Sequence, residues 1–339
     1  MNGKKRIMAA LHGTPCDRVP VMLHHFMHAA AEDHLTMRQF RDDPALAARA
    51  LARSSEKYDL DAVFVDVDTA LLAGACGVPV DFPEHEPARC HMGLLTELKA
   101  IADCPRPDIS KNSRIQAAVE IVRLLKKHFG DEICIRANAD QCPFSLASML
   151  RGTENWMMDI LDPDLEPEVF ATLDYALEAT KQLVSLMAQA GAHVISNGDS
   201  PAGPDLISPA LYRKFALPYE RQVAEHARAS GCCYILHVCG NITSILPDIV
   251  TSGASGVEVD YKTDIVAARD AFRGKVTFVG NIDPSAVLAH GTPELVARQT
   301  SELLAAFANE PRFILNSGCA IPPTTPEENI RALIRCARH

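Results

Sequence analysis

The sequence predicts a (β/α)8 TIM barrel of the α/β class, and three observations lead to this prediction. Eight short apolar runs recur along the 339 residues, and longer helical patterns separate them. The chain length also falls within the range of one such barrel. Strands that are buried on both faces and separated by helices pair in parallel, and eight of them indicate closure. We therefore expect residues 1–339 to form a single domain, with an N-terminal extension before the first run.

Each predicted strand is an apolar run bounded by polar or turn residues. The eight runs are 19–25 (VPVMLHH), 62–67 (AVFVDV), 133–139 (ICIRANA), 192–198 (AHVISNG), 233–239 (CYILHVC), 256–261 (GVEVDY), 276–281 (VTFVGN) and 312–318 (RFILNSG).

Helices are predicted between these runs from apolar spacing and end signals. Residues 115–130 carry apolar side chains at helical spacing and end at Gly130. Near the end of the chain, Thr325-Pro326-Glu327-Glu328 predicts a capping box that opens the last helix. Residues 69–114, after the second run, are rich in Pro, Gly and charge, and no new apolar pattern begins a second domain there. We expect a long excursion over one face of the barrel.

Composition excludes several classes of partner. The formal net charge is −10 and aromatic residues make up 6% of the chain, which argues against binding to nucleic acid or to an anionic membrane. No run approaches the roughly 18 apolar residues of a spanning helix, and the N-terminal residues lack the apolar stretch of a signal peptide. The eleven cysteines are an odd number in a chain that is not small. We therefore expect a cytoplasmic protein with reduced thiols.

Two soft metal ligands end the fifth run, and a third follows the eighth. His237 and Cys239 lie on the same side of their strand because side chains alternate with a period of two. Cys319 comes from a distant strand, and the C-terminal strand ends of a barrel form its site. Three ligands from separate strands are typical of a catalytic zinc with one open position. The alternative is that each is an ordinary core residue, since free cysteine is among the most buried residue types.

Three motifs resemble the uroporphyrinogen decarboxylase superfamily: HVCGN (237–241), GNIDP (280–284) and GCAIPPTTPEENI (318–330). Within it, the H-x-C motif and the distant cysteine resemble the zinc-dependent corrinoid methyltransferases of the methylcobamide:coenzyme M type. The resemblance covers nearly the whole chain. It implies zinc on His237, Cys239 and Cys319. It also implies a corrinoid carried by a separate partner protein, since the chain shows no D-x-H-x-x-G cobalamin-binding element.

The stretch after the first run departs from the decarboxylases of this superfamily. They carry an arginine-rich R-Q-A-G-R-Y element there, whereas residues 21–30 read VMLHHFMHAA and contain no arginine. Arginine clamps are what recognition of many carboxylates uses, so porphyrinogen decarboxylation is disfavoured. His24 and His25 instead stand beside the predicted position of Cys319. Because they point to opposite faces, one of them is expected to contact the substrate, and the alternative is that both only pack.

The resulting hypothesis is a zinc-dependent methyltransferase that moves a methyl group between a corrinoid protein and a small molecule. A thiol such as coenzyme M and a methyl ether remain open as substrates, because the same three ligands serve transfer in either direction. Asp260 is the preferred resting ligand or metal-supporting group and Glu258 the reserve, with a loop-entrance cap or salt bridge as the alternative for both. Two other functions compete: a metal-free decarboxylase, and a non-catalytic corrinoid- or metal-binding module. The binding module is disfavoured because a storage or structural metal site usually has all its positions filled by protein ligands, whereas three ligands leave one position open.

Overall fold

A computed structural model describes residues Met1–Arg338 and shows a curved sheet of seven parallel strands flanked by helices. The strands are β1 (Ala62–Val65), β2 (Val80–Asp81), β3 (Arg89–Cys90), β4 (Cys134–Gln141), β5 (Val194–Gly198), β6 (Cys233–Val238), β7 (Gly256–Val259), β8 (Thr277–Ile282) and β9 (Phe313–Ser317). The parallel sheet runs β1-β4-β5-β6-β7-β8-β9, and β2 and β3 form a separate antiparallel ribbon. Seven of the eight predicted strands are confirmed, and with them the parallel α/β architecture.

The α-helices alternate with the strands of the large sheet. They are α1 (Gly3–His12), α2 (Phe26–Glu32), α3 (Met37–Asp42), α4 (Pro44–Lys57), α5 (Leu71–Ala75), α6 (Ser113–Phe129), α7 (Pro143–Arg151), α8 (Thr153–Asp159), α9 (Glu166–Gln189), α10 (Pro209–Leu211), α11 (Leu217–Ala229), α12 (Leu246–Ile249), α13 (Ile265–Phe272), α14 (Pro293–Ala306) and α15 (Glu327–Arg338). Within residues 1–338, no helix combines the length and the apolar character that a membrane span requires.

The first predicted strand, at 19–25, is wrong for most of its length. Its regular pairing is a single parallel bridge between Val21 and Leu315 of β9. Pro20 has no N–H to donate, and the chain turns into α2 at Phe26. The segment nevertheless lies between the two edges of the sheet, because Met22 donates to Leu315 O at 3.0 Å and the Asp61 amide donates to Val21 O at 3.0 Å.

The Asp61 carboxylate anchors this junction. It accepts hydrogen bonds from the Val21 amide at 2.9 Å, from Arg18 at 2.6 Å and from Arg6 of α1 at 3.1 Å. A carboxylate that is only 1% exposed is tolerated because these donors replace water. The N-terminal extension, the first-run segment and β1 are thereby held together.

The predicted helix ends are partly correct. α6 begins two residues before the predicted start, where the Asn112 side chain accepts from the Arg114 and Ile115 amides, and it ends at Gly130 as expected. α15 begins at Glu327, but the predicted capping box is wrong. Thr325 Oγ1 is buried without a hydrogen-bond partner in the described chain. Because the helix starts at Glu327, Pro326 rather than Thr325 stands immediately before it.

The apolar core fills the N-terminal end of the sheet and leaves the C-terminal end for a site. α1 covers the N-terminal ends of the strands, where Ile7 and Leu11 pack in one cluster with the strand residues Ala62, Ile235 and Ile314. The C-terminal ends remain available for a cavity. The excursion at 69–114 lies at that end, since the Ala88 amide donates to Asp68 just beyond β1 and Pro87 lines the cavity described below.

Candidate metal centre and its cavity

Three soft ligands meet at the C-terminal ends of β6 and β9. His237 Nε2 lies 2.9 Å from Cys239 Sγ and 4.0 Å from Cys319 Sγ, and the two sulfur atoms are 3.9 Å apart. All three side chains are largely buried, and their ligand atoms lie within 4.8 Å of one another. The structure therefore brings together the three predicted metal ligands from positions 82 residues apart in the chain.

Local backbone geometry explains this convergence. Strand alternation places His237 and Cys239 on one side, and Gly240, with a φ of 88°, then turns the chain away. After β9, Gly318 precedes Cys319 and lies against the chain just beyond β7, where an added Cβ would be 2.6 Å from the Tyr261 amide nitrogen. A larger residue at 318 would push Cys319 away from the cluster.

A backbone contact fixes the orientation of the His237 ring. Its Nδ1 donates to Glu258 O at 3.0 Å, because a carbonyl oxygen can only accept. Nε2 is left facing the two sulfur atoms. A ligating imidazole commonly uses one nitrogen for the metal and donates from the other, which sets the tautomer.

The two thiols influence each other strongly. Contact with Cys319 and with the His237 ring lowers the pKa of Cys239 to about 3, although burial opposes the charged form. The same sulfur–sulfur contact, together with burial, raises the pKa of Cys319. Burial disfavours protonation of His237, but the neighbouring Cys239 thiolate outweighs it and raises its pKa to about 10. The cluster thus stabilises a thiolate, which is the form of cysteine that binds metals.

The three donors fit a zinc ion. With Zn–S near 2.3 Å and Zn–N near 2.0 Å, a tetrahedral site separates two sulfurs by about 3.8 Å and a sulfur from a nitrogen by about 3.5 Å. The observed 3.9 Å between sulfurs agrees with this, and the two nitrogen–sulfur distances of 2.9 and 4.0 Å bracket the expected one. Three protein ligands leave one position for another group.

The cluster faces a cavity of about 170 Å³ at the C-terminal ends of the strands. Its lining mixes apolar side chains, including Phe26, Phe64 and Pro87, with the charged groups His24 and Arg136. Phe64 packs against both of these charged groups, with its ring centre 3.8 Å from the Arg136 guanidinium and 4.6 Å from the His24 ring. A substrate in the cavity would therefore meet the metal position and a lining of mixed polarity.

His24 links two carboxylates in this lining. Its Nε2 is 2.8 Å from Asp66 Oδ2, and its Nδ1 is 3.2 Å from Glu258 Oε1. Burial opposes protonation, but these two partners outweigh it and raise the pKa of His24. Because both ring nitrogens face carboxylate oxygens, neither is free for another partner in this arrangement, and contact between His24 and a substrate stays a prediction.

Glu258 is the central acceptor of this network. Besides His24, its carboxylate binds Arg136, whose Nε donates to Ser196 Oγ at 3.0 Å and whose guanidinium lies 3.8 Å from the centre of the Phe64 ring. Burial raises the pKa of a carboxyl group, yet Arg136 and His24 hold the pKa of Glu258 well below its ordinary value. Glu258 Oε1 also lies 3.7 Å from His237 Nδ1, beside the ligand cluster.

Two of the predicted site residues, Asp260 and His25, are not among the residues that line the cavity. Asp260 follows the end of β7, and its carboxylate oxygens accept from the Gly240 and Lys262 amides, both at 2.9 Å. It holds the turn after Cys239 in place, which fits both the loop-cap alternative and the metal-supporting half of the prediction, and a role as resting metal ligand stays a prediction. His25 faces away from the cavity, donates from Nδ1 to Leu23 O at 2.9 Å, and has a pKa lowered to about 4 by burial.

Arg136 is the main site residue that the sequence reasoning missed. It lies within the third apolar run, ICIRANA, and is 1% exposed in β4. A charge inside a buried strand requires a partner of opposite charge, so an arginine within this apolar run indicates a buried ion pair. Its partner, Glu258, is 122 residues away, and the pairing cannot be read from spacing.

Known proteins resemble this chain over nearly its full length. The family model described as uroporphyrinogen decarboxylase (URO-D) matches residues 2–339. Methylcobamide:CoM methyltransferase MtbA of Methanosarcina acetivorans is 27% identical, with 99% of this chain and 97% of that protein covered. Methylcobamide:CoM methyltransferase MtaA of Methanosarcina barkeri is 27% identical over 98% of this chain and 96% of that protein. The solved structure of a methyltransferase from Methanosarcina mazei has a TM-score of 0.89 at 26% identity and covers 100% of this chain and 98% of its own.

The cluster predicts the metal content of the protein. Purified protein is expected to bind about one zinc per chain, and Cys239→Ala and Cys319→Ala are each expected to lose most of it, because two ligands hold zinc poorly. Cys336→Ala is the matched control, since its thiol lies on α15 and contacts Ser301 and Ala297. Elemental analysis measures zinc, and far-UV circular dichroism checks folding. Equal zinc content in all three variants would contradict the assignment.

Proposed function

The chain belongs to the uroporphyrinogen decarboxylase family, and from this premise we propose that it is a zinc-dependent methyltransferase. It moves a methyl group between a corrinoid carried by a partner protein and a small substrate. The observation that carries this proposal is the convergence of His237, Cys239 and Cys319 on one small cavity. The methylcobamide:CoM methyltransferases, which resemble this chain over nearly its full length, support it.

The cavity argues against the decarboxylase alternative. Its volume of about 170 Å³ lies below the roughly 300–1,000 Å³ of pockets that hold drug-sized ligands, and a porphyrinogen is at least that large. Arg136 is the one arginine among the residues that line it, and Glu258 already binds that guanidinium. A substrate with many carboxylates therefore finds no free arginine clamp here.

In this proposal the ligand residues and the charged residues of the cavity have different roles. His237, Cys239 and Cys319 hold the zinc, which when bound supplies a Lewis acid that activates a thiol or polarises an ether oxygen. The His237 bond to the β7 backbone keeps its ring in the ligating orientation. The Arg136–Glu258–His24 network fixes charged groups next to the cluster, and Phe64, which packs on Arg136 and His24, adds apolar surface to the same lining.

Four features of organisation belong to the same proposal. We infer that the sheet closes into a (β/α)8 barrel through the segment around Val21, which hydrogen-bonds with β9 and with the start of β1. We infer that the chain is one domain, because α1 and α15 both bind the Asp61 carboxylate at the barrel base. A cytoplasmic location suits a thiolate site that must stay reduced. The corrinoid partner would dock over the C-terminal strand ends, where the cavity lies.

Spectroscopy of the corrinoid tests the function. Zinc-loaded protein is mixed with cob(I)alamin and a methyl donor, or with methylcobalamin and a thiol, and absorbance follows the conversion between the two corrinoid forms. We expect conversion that depends on protein and is lost in Cys239→Ala, since that variant lacks a thiolate of the cluster. Conversion at the same rate in the wild type and Cys239→Ala would contradict a role for the metal centre, and absence of conversion with every thiol and ether would contradict the function.

A second prediction separates the two neighbouring histidines. His24→Ala leaves Asp66 and Glu258 without their shared cation, so turnover is expected to fall about 10- to 100-fold, the usual scale for groups that support a metal site. His25→Ala removes a side chain that does not line the cavity, so turnover is expected to stay within a few-fold. Zinc content and circular dichroism are measured for both. Equal turnover in the two variants would show that the His24 bridge has no part in the reaction.

A further inference from the structure

Two carboxyl groups that the proposed reaction does not use contact each other outside the cavity. Asp199 follows β5 and Glu220 lies in α11, and both side chains are fully buried. A hydrogen bond joins the two carboxyl groups. Two ionised carboxylates do not share a buried site, because desolvation and mutual repulsion both oppose the second charge. One member of the pair therefore carries a proton.

The hydrogen bonds around the pair show where this proton is needed. Asp199 Oδ1 accepts from the Ser145 amide at 2.9 Å and from the Ser145 hydroxyl at 2.6 Å. The Tyr212 hydroxyl donates to Glu220 Oε2. The other two oxygens, Asp199 Oδ2 and Glu220 Oε1, are buried and receive no donor from the described chain. One proton between these two atoms gives each of them a partner.

Glu220 is the member of the pair that holds the proton. Burial raises the pKa of Glu220 well above its ordinary value, and the negative charge of Asp199 raises it further. Burial also raises the pKa of Asp199, to about 6, but the two donors of Ser145 oppose that rise because they stabilise the charged form. At neutral pH, Glu220 is thus a neutral acid that donates to an ionised Asp199.

The turn that begins with Asp199 lies against the metal ligands of β6. The Asp199 amide donates to His237 O at 2.8 Å. The hydroxyl of the next residue, Ser200, accepts from the Cys239 amide at 3.4 Å and also hydrogen-bonds with the Cys239 sulfur. At the end of the turn, a Cβ added to Gly203 would lie 3.2 Å from Cys239 O. The position of Cys239 therefore depends on how the turn at 199–203 is held.

We propose that Glu220 is a positioning residue of the metal centre, and that as a neutral acid it donates a hydrogen bond to Asp199 and thereby fixes the turn at 199–203 against Cys239. This inference rests on the proposed zinc-dependent function and extends it to a residue outside the cavity. An ionised Glu220 would repel Asp199 and open the contact. A glutamine at 220 would donate from its amide in the same way as the neutral acid, and this property makes the proposal testable.

Infrared difference spectroscopy at neutral pH tests the protonation state of Glu220. The wild type is expected to show a carbonyl stretch of a protonated carboxyl group that Glu220→Gln lacks. Glu225→Gln is the matched control and should keep this band, since Glu225 is exposed on the same helix. If Glu220→Gln loses no such band, Glu220 is ionised and the inference is overturned.

Zinc affinity, measured by competition with a chromophoric chelator, tests the positioning role. Glu220→Gln keeps a donor for Asp199 and an acceptor for Tyr212, so its zinc dissociation constant is expected to stay within a few-fold of the wild-type value. Glu220→Leu keeps the approximate size but removes the donor. Its zinc binding is expected to be about 10- to 100-fold weaker, the usual scale for groups that support metal ligands. Equal affinity of Glu220→Leu and the wild type would overturn the role.

Tyr212→Phe is a milder variant for the case in which Glu220→Leu does not fold, as judged by circular dichroism. It keeps the ring and removes the hydroxyl that donates to Glu220. Zinc binding is expected to weaken about two- to tenfold, the scale of one neutral hydrogen bond. If Glu220→Leu is unfolded, unchanged zinc binding in Tyr212→Phe overturns the positioning role.

The same measurements separate this inference from the function on which it rests. Absence of zinc binding in the wild type overturns the metal centre and the positioning role together, and the infrared band still decides the protonation of Glu220. The expected zinc affinities without any conversion of the corrinoid overturn the methyltransferase function and support the positioning role. Corrinoid conversion in the wild type, with equal zinc affinity in all folded variants, overturns the inference while the function stands.

Discussion

The buried carboxylate of Glu258 is the interaction on which the arrangement of the site depends. Its side chain is fully buried at the centre of the sheet, and an unpaired charge there would be prohibitively costly. Arg136 from β4 and His24 from the first-run segment supply the compensating charge. The same residue, through its backbone carbonyl, orients the His237 ring. Glu258 therefore links the charged side chains of the cavity to the orientation of the candidate metal ligand His237. A substitution at this residue would disturb both.

The sheet order makes this coupling possible. β7 lies next to β6, which carries His237, and one strand away from β9, which precedes Cys319. Curvature of the sheet lets β4 and the first-run segment face β7 across the cavity, so side chains distant in sequence meet. α1 fills the N-terminal end of the strands with apolar side chains, whereas the buried charged groups lie at the other end, where His24, Arg136 and Glu258 pair with one another beside the candidate metal centre.

Features that depend on local periodicity were predictable from the sequence, and features that depend on long-range pairing were not. The strand period of two placed His237 and Cys239 together, and seven apolar runs became strands. Asp260 lies just beyond the end of β7, and its contacts with the Gly240 and Lys262 amides depend on the turns that follow β6 and β7 and not on strand period. The strand predicted at 19–25 forms only one bridge, because Pro20 has no N–H to donate and the chain turns into α2 at Phe26. The partners of Arg136 and His24 come from strands far away in the chain, and only the fold shows that both nitrogens of His24 are occupied.

X-ray absorption at the zinc edge of the purified, zinc-loaded protein tests the central claim most directly. Two cysteine ligands and one imidazole ligand predict a first shell of two sulfur atoms at about 2.3 Å and one nitrogen atom at about 2.0 Å. The fourth position is expected to hold one oxygen or nitrogen atom before a thiol is added. Addition of 2-mercaptoethanol should raise the sulfur number from two to three. A first shell made only of nitrogen and oxygen, or one with four sulfur atoms before any thiol is added, would contradict a centre built from His237, Cys239 and Cys319.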